Sequence, residues 1–227
     1  MAPWLVALMI AAPATVVSAL LCGRSAILVF ALYHVGICLL LPLVIDLRVR
    51  RWTWAQHLHH LGLLRDGALP GVGLGVVLAG VTALAAVAGL VAVRGWLPDD
   101  VAVRAVLAGW SVPPERTAGV LLFLALVNGP AEEFFWRGFV GAELRPLPCR
   151  WRRLLVPSVA YASYHGVTIP VLVPEPGIAA LMTVAVIGAG LGWAWLRDRT
   201  GSVWPAVLSH GAAAAVYSLW TWSLLRP

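Results

Sequence analysis

Charge is what this chain has least of. Only 11% of its 227 residues are Asp, Glu, Lys or Arg, against about 25% in a soluble domain. Lysine is absent, so all sixteen basic residues are arginine, a bias of GC-rich coding rather than of mechanism. The three cysteines, Cys22, Cys38 and Cys149, form no CxxC pair or ribbon spacing, which excludes a disulfide framework or a zinc ribbon. Cys22 and Cys38 lie at or in apolar runs and are expected to be small core residues. No HExxH is present, and no fixed-period repeat that would mark a solenoid. Met1–Leu5 lacks a basic leader, so the first apolar run is expected to be a span rather than a cleaved signal. What the chain has instead is apolar residues, 61% of the total, at a mean hydropathy of +0.88. The reading is an all-α, polytopic transmembrane helical bundle, with residues 1–227 as one integral membrane domain in a lipid bilayer. The net charge of +6 does not point to nucleic acid, because the arginines fall between apolar runs in the topogenic pattern.

Runs of about 18–23 residues suit helices across a ~30 Å hydrocarbon core. They predict about seven spans: Trp4–Leu21, Ser25–Ile45, Gly71–Val93, Ala118–Trp136, Leu154–Val173, Ile178–Leu196 and Val203–Leu225. The linker Asp46–Leu69 holds His57, His59 and His60 and reads as a solvated interfacial loop, anchored by Trp52 and Trp54. Asp99–Arg116 reads as a loop with a short surface helix. With seven spans, eleven arginines fall on one side (Arg48, Arg50, Arg51 and Arg65 among them) and five on the other. The positive-inside rule then places the N-terminus in the cytoplasm. The short chain is of bacterial type, which directs the expectation to the cell membrane.

Against that background two adjacent carboxylates, Glu132 and Glu133, stand near the end of the fourth apolar run. A charge at depth in a bilayer costs about 2.5–3.5 kcal/mol on insertion scales, so such residues are kept for use. Glu133 and Arg137 are four apart and can pair on one helix face. Glu132 points about 100° away and is left to face a cavity, where a partly desolvated carboxylate serves as a general base. Pro130 is expected to kink the helix beside them. His165 and His210 lie inside later runs. At 1.5 Å per residue, Glu132, His165 and His210 lie about 8, 16 and 10 Å in from the same side. One carboxylate and two imidazoles can activate water and hold an oxyanion directly. They can also hold a zinc ion, the alternative to a site with no cofactor.

Glu132-Glu133-x-x-x-Arg137, then Tyr161-x-x-x-His165, then Ser209-His210, resemble the signature of the CAAX-protease and bacteriocin-processing family of intramembrane endopeptidases. The stretch Leu191–His210 is similar to that family's last motif, and the likeness covers about residues 118–219. It implies an all-helical enzyme that hydrolyses peptide bonds of membrane-associated proteins or peptides, prenylated or not, from a cytoplasm-facing cavity. By resemblance, Glu132 and His165 activate water and His210 helps hold the oxyanion, with Glu133 and Arg137 completing the site. Two positions depart from the pattern: Tyr161 stands for the usual phenylalanine, and Ala214 for the asparagine usual four residues after the last histidine. Asn128, Tyr164 and Tyr217 are the polar side chains that could take over that role. The alternatives are a non-catalytic relative binding peptides or membrane partners, and a transporter, whose paired repeats are not visible.

Overall fold

The computed structural model describes residues 1–64 and 68–226, the side chains of 68–70 excepted, and among these it is helical with no strand. The order is α1 (Pro3–Leu21), α2 (Ala26–Val49), α3 (Trp54–Leu61), α4 (Ala68–Val93), α5 (Asp100–Gly109), α6 (Pro114–Glu143), α7 (Arg150–Ser163), α8 (His165–Leu172), α9 (Pro176–Thr200) and α10 (Trp204–Leu225). Arg65, one of the arginines used for orientation, lies outside the described residues.

The starts and stops follow local chemistry. Ser25 caps α2 by accepting from Leu28 N–H. Thr53 and Gln56 form a reciprocal capping box on α3. The Glu175 carboxylate accepts from Gly177 and Ile178 at the start of α9, where it also complements the helix dipole. Gly62 (φ 78°) and Gly201 (φ 68°) end α3 and α9 in the left-handed region open to glycine.

Five helices, α1, α2, α4, α6 and α9, are long and apolar enough to cross a membrane, and the assembly is a helical membrane bundle. Two of the seven expected spans fall short of that measure, for different reasons. The fifth breaks at Tyr164 into α7 and α8, and α10 mixes Ser209, His210, Tyr217, Trp220 and Trp222 into its apolar run. Along α4 the exposed large apolar side chains include Val76, Val77, Val81, Leu84, Val87 and Val91. A surface of that kind is stable only against lipid or a partner. The core sits where α1, α2, α6 and α7 meet, around Tyr33, Phe135, Trp136, Phe139 and Tyr161.

Two expectations need correction here. Cys22 is exposed, whereas Cys38 is buried as expected. The linker is also not a solvated loop: α3 folds back, and His57 is buried with its Nδ1 2.7 Å from Oδ2 of the fully buried Asp46. Arg50 donates to Asp46 Oδ1 at 3.0 Å and reaches Glu143 at the end of α6 at 2.7 Å, where His60 also approaches at 3.2 Å. The carboxylate of Asp46 at the end of α2 draws the basic groups of the following residues back onto the bundle. A short α5, as expected, lies in the loop before α6.

Candidate active site

α6 positions both glutamates. Pro130 has no N–H and would clash with the carbonyl one turn back in a regular α-helix. The helix widens into a π turn over Leu124–Asn128 just before it, and again over Phe134–Val140 after the glutamates. It continues through Pro130 instead of ending there. A π turn relieves the ring's clash and re-aims the side chains that follow, a device common at functional sites. Two glycines let neighbouring helices close in. A Cβ on Gly129 would lie 3.0 Å from Gly211 N and 3.3 Å from the His210 carbonyl carbon, so α6 and α10 touch backbone to backbone beside the glutamates. A Cβ on Gly190 of α9 would lie 2.8 Å from Arg137 Nη2, space that the guanidinium needs.

Glu132 and Glu133 are both fully buried, and Arg137 and His210 nearly so. Arg137 Nη1 donates to Glu133 Oε1 at 2.7 Å, the pair expected from their spacing. The same oxygen lies 2.9 Å from His210 Nδ1. The imidazole's other nitrogen, Nε2, lies 3.7 Å from Glu132 Oε2 and 3.5 Å from the Tyr161 hydroxyl. The two carboxylates therefore do not part company as their angular separation implies, because His210 stands between them. Its ring is held flat by Trp193, with centroids 4.4 Å apart and planes at 13°. Arg137 lies against the rings of Tyr161 and Trp193 at 4.5 and 5.2 Å, contacts that a guanidinium favours.

Glu132 differs from its neighbour in what it leaves open. Oε1 accepts from the Tyr164 hydroxyl at 2.5 Å, whereas Oε2 has no hydrogen-bond partner. A second buried nitrogen approaches Oε1: His34 Nε2, from α2, at 3.9 Å. His34 also bonds Asn128 Oδ1 at 2.6 Å. The sequence reading passed over His34, although an ionisable residue in an apolar run was the signal that singled out His165 and His210.

The structure brings Glu132, Glu133, Arg137 and His210 into one cluster. His165 borders it: its ring lies on Tyr164, centroids 4.0 Å apart, near enough to Glu132 and His210 to feel their charge, while among the described residues it makes no ion pair or hydrogen bond with either glutamate. Tyr164 reaches Glu132 in its place because it occupies the break between α7 and α8. The three candidate substitutes for the missing asparagine are likewise sorted. Asn128 is engaged by His34 and Tyr164 by Glu132. Tyr217 points outward at 42% exposure, away from the cluster. Among the described residues no three His, Cys, Asp or Glu side chains form a group that could hold a metal. A groove of about 700 Å³ runs between α1 and α7, lined by Met9, Ile10, Pro13, Val156, Val159 and Tyr164.

Fold and cluster together define a helical membrane protein with a buried glutamate–histidine centre. Residues 114–216, from the first turn of α6 into α10, match the family described as type II CAAX prenyl endopeptidase Rce1-like. The matched residues include Glu132, Glu133, Arg137, His165 and His210. No curated protein and no solved structure matches the chain.

Proposed function

We propose that the protein is an intramembrane endopeptidase in which Glu132 is the general base and His210 the oxyanion donor. The observation that carries this reading is the unpartnered Glu132 Oε2, fully buried and 3.7 Å from His210 Nε2. The two atoms are in ion-pair range with no hydrogen bond between them, so Oε2 keeps its lone pairs free to accept from a water beside the pair. The pairing of charges supports the division of roles. Arg137 pairs with Glu133, and His210 stands between the two carboxylates with a nitrogen toward each, as buried charges require partners. Glu133, accepting from Nδ1–H, holds the ring as a triad carboxylate does and leaves Nε2–H for the substrate oxygen.

In the reaction, Glu132 takes a proton from water as the water oxygen bonds to the scissile carbonyl carbon. The carbonyl oxygen becomes an oxyanion facing His210. As the C–N bond breaks, the Glu132 carboxylic acid returns the proton to the leaving nitrogen, giving an amine and a carboxyl terminus. General base work contributes about 10²–10⁴ in rate, and one oxyanion donor about 10²–10³. The substrate is a peptide or protein segment at the membrane, prenylated or unmodified. The setting is a multi-pass cell-membrane protein with its N-terminus in the cytoplasm. No residues are assigned to zinc or another cofactor. His165 serves by backing Tyr164 rather than by touching water.

A second reading, a non-catalytic relative that binds membrane peptides, draws on Ala214 and on the complete burial of Glu132. Purified protein in lipid nanodiscs, offered prenylated and unmodified peptides, separates the two. The proposal expects cleavage by the native chain, lost by about 10²–10⁴ in Glu132→Gln at equal folded protein. Peptide binding by both proteins with cleavage by neither supports the second reading.

A further inference from the structure

We infer that His34 is a positioning residue of the Glu132 site: through Asn128 it closes the Oε1 side of the carboxylate, so that Oε2 alone is offered to water. The inference rests on the hydrolase reading for its effect on rate, but its geometry is independent of it. His34 lies on α2, outside the matched segment 114–216. It is 2% exposed, and the rings of Phe30, Tyr33 and Phe123 surround its edges. A histidine so placed needs a polar reason to be there, since a buried polar group without a partner costs about 1–3 kcal/mol.

Its one hydrogen bond supplies that reason. A carbonyl oxygen only accepts, so the 2.6 Å contact with Asn128 Oδ1 places the ring proton on Nε2. Nδ1 is then a bare lone pair, buried without a hydrogen-bond partner. The Nε2–H dipole stands with its positive end 3.9 Å from Glu132 Oε1, on the oxygen that Tyr164 also holds. Asn128 is one turn before Glu132 on α6, so the bond ties α2 to the turn that aims the carboxylate. With donors on the Oε1 side only, the carboxylate is fixed in rotation and its free lone pairs are turned to His210.

Two measurements test this. The first, nitrogen-15 NMR of histidine-labelled protein in nanodiscs, needs no substrate. It should show His34 as the neutral Nε2–H tautomer in the native chain, with that preference lost in Asn128→Leu. An Nδ1–H tautomer in the native protein overturns the inference. The second is cleavage of a farnesylated peptide, with Glu132→Gln as the control for the hydrolase reading. His34→Leu should lower kcat about tenfold or more with little change in KM. His34→Gln, whose amide nitrogen can donate to Asn128, should recover most of the rate. His34→Leu combined with Asn128→Leu should be no slower than either alone. Full activity in His34→Leu beside an inactive Glu132→Gln overturns the inference and leaves the hydrolase reading standing. An unimpaired Glu132→Gln overturns the hydrolase reading and the rate effect with it.

Discussion

Two clusters of buried ionisable groups face each other along α2 and α6, and they differ in what they leave unsatisfied. In the Asp46 cluster both carboxylate oxygens of Asp46 are engaged, one by Arg50 and one by His57. Arg50 reaches on to Glu143, and His60 Nε2, the one atom of this cluster among the described residues that is buried without a hydrogen bond, lies in ion-pair range of the same carboxylate at 3.2 Å. In the Glu132 cluster, Glu132 Oε2, Glu133 Oε2, Arg137 Nη2, His34 Nδ1 and the neighbouring His165 Nδ1 are buried without a hydrogen-bond partner. Most buried polar groups in folded proteins are paired, so a concentration of unpaired ones asks for an explanation. The contrast teaches that burial of charge alone does not mark a reaction centre. The closed cluster fastens α3 and the ends of two spans, whereas the open one leaves hydrogen-bonding capacity unused.

The largest break in that contrast should come from Arg137. Arg137→Ala strands Glu133 beside Glu132 in the protein interior, and removing one partner of a buried pair costs about 3–5 kcal/mol. The folded amount recovered from membranes should fall sharply, and Glu133→Gln added to it should restore part of the loss. A smaller effect is expected at Tyr164. Tyr164→Phe removes the donor to Glu132 Oε1, a bond to a charged group that contributes about 1.5–3 kcal/mol. Thermal unfolding in detergent should show the drop, and His165→Phe, which keeps the stacked ring, should not. The smallest effect belongs to Tyr217. Exposed on α10, Tyr217→Phe should stay within about 0.5 kcal/mol of the native chain and leave cleavage unchanged.

Much of this arrangement was legible in the sequence because hydrophobic runs and four-residue spacing are local signals. The helical membrane class, the Glu133–Arg137 pair and the isolation of Glu132 and His210 as charged residues in apolar runs all came from such signals. The π turns around Pro130 were not legible, because a proline in a helix announces a clash without saying how it is relieved. His210 between the two glutamates required the contact of Gly129 with Gly211, a pairing of two helices far apart in sequence. Depth counted along helices put His165 near Glu132, whose charge it does feel. The count could not register the break at Tyr164, which turns the tyrosine to the carboxylate and the histidine onto the tyrosine's face. The linker histidines read as solvated because polar clusters between spans usually are. Only the fold-back of α3 onto Asp46 makes His57 a buried partner.

On the proposed reading, the open cluster performs chemistry and the closed one holds structure. The most direct measurement pairs Glu132→Gln with Asp46→Asn and reads, for each, the folded amount in membranes and peptide cleavage per folded molecule. The account predicts that Glu132→Gln is as abundant as the native chain and cleaves at least about a hundredfold more slowly. It predicts that Asp46→Asn is depleted, yet cleaves at the native rate per folded molecule. Native cleavage by Glu132→Gln, or normal abundance of Asp46→Asn with its cleavage lost, would contradict it.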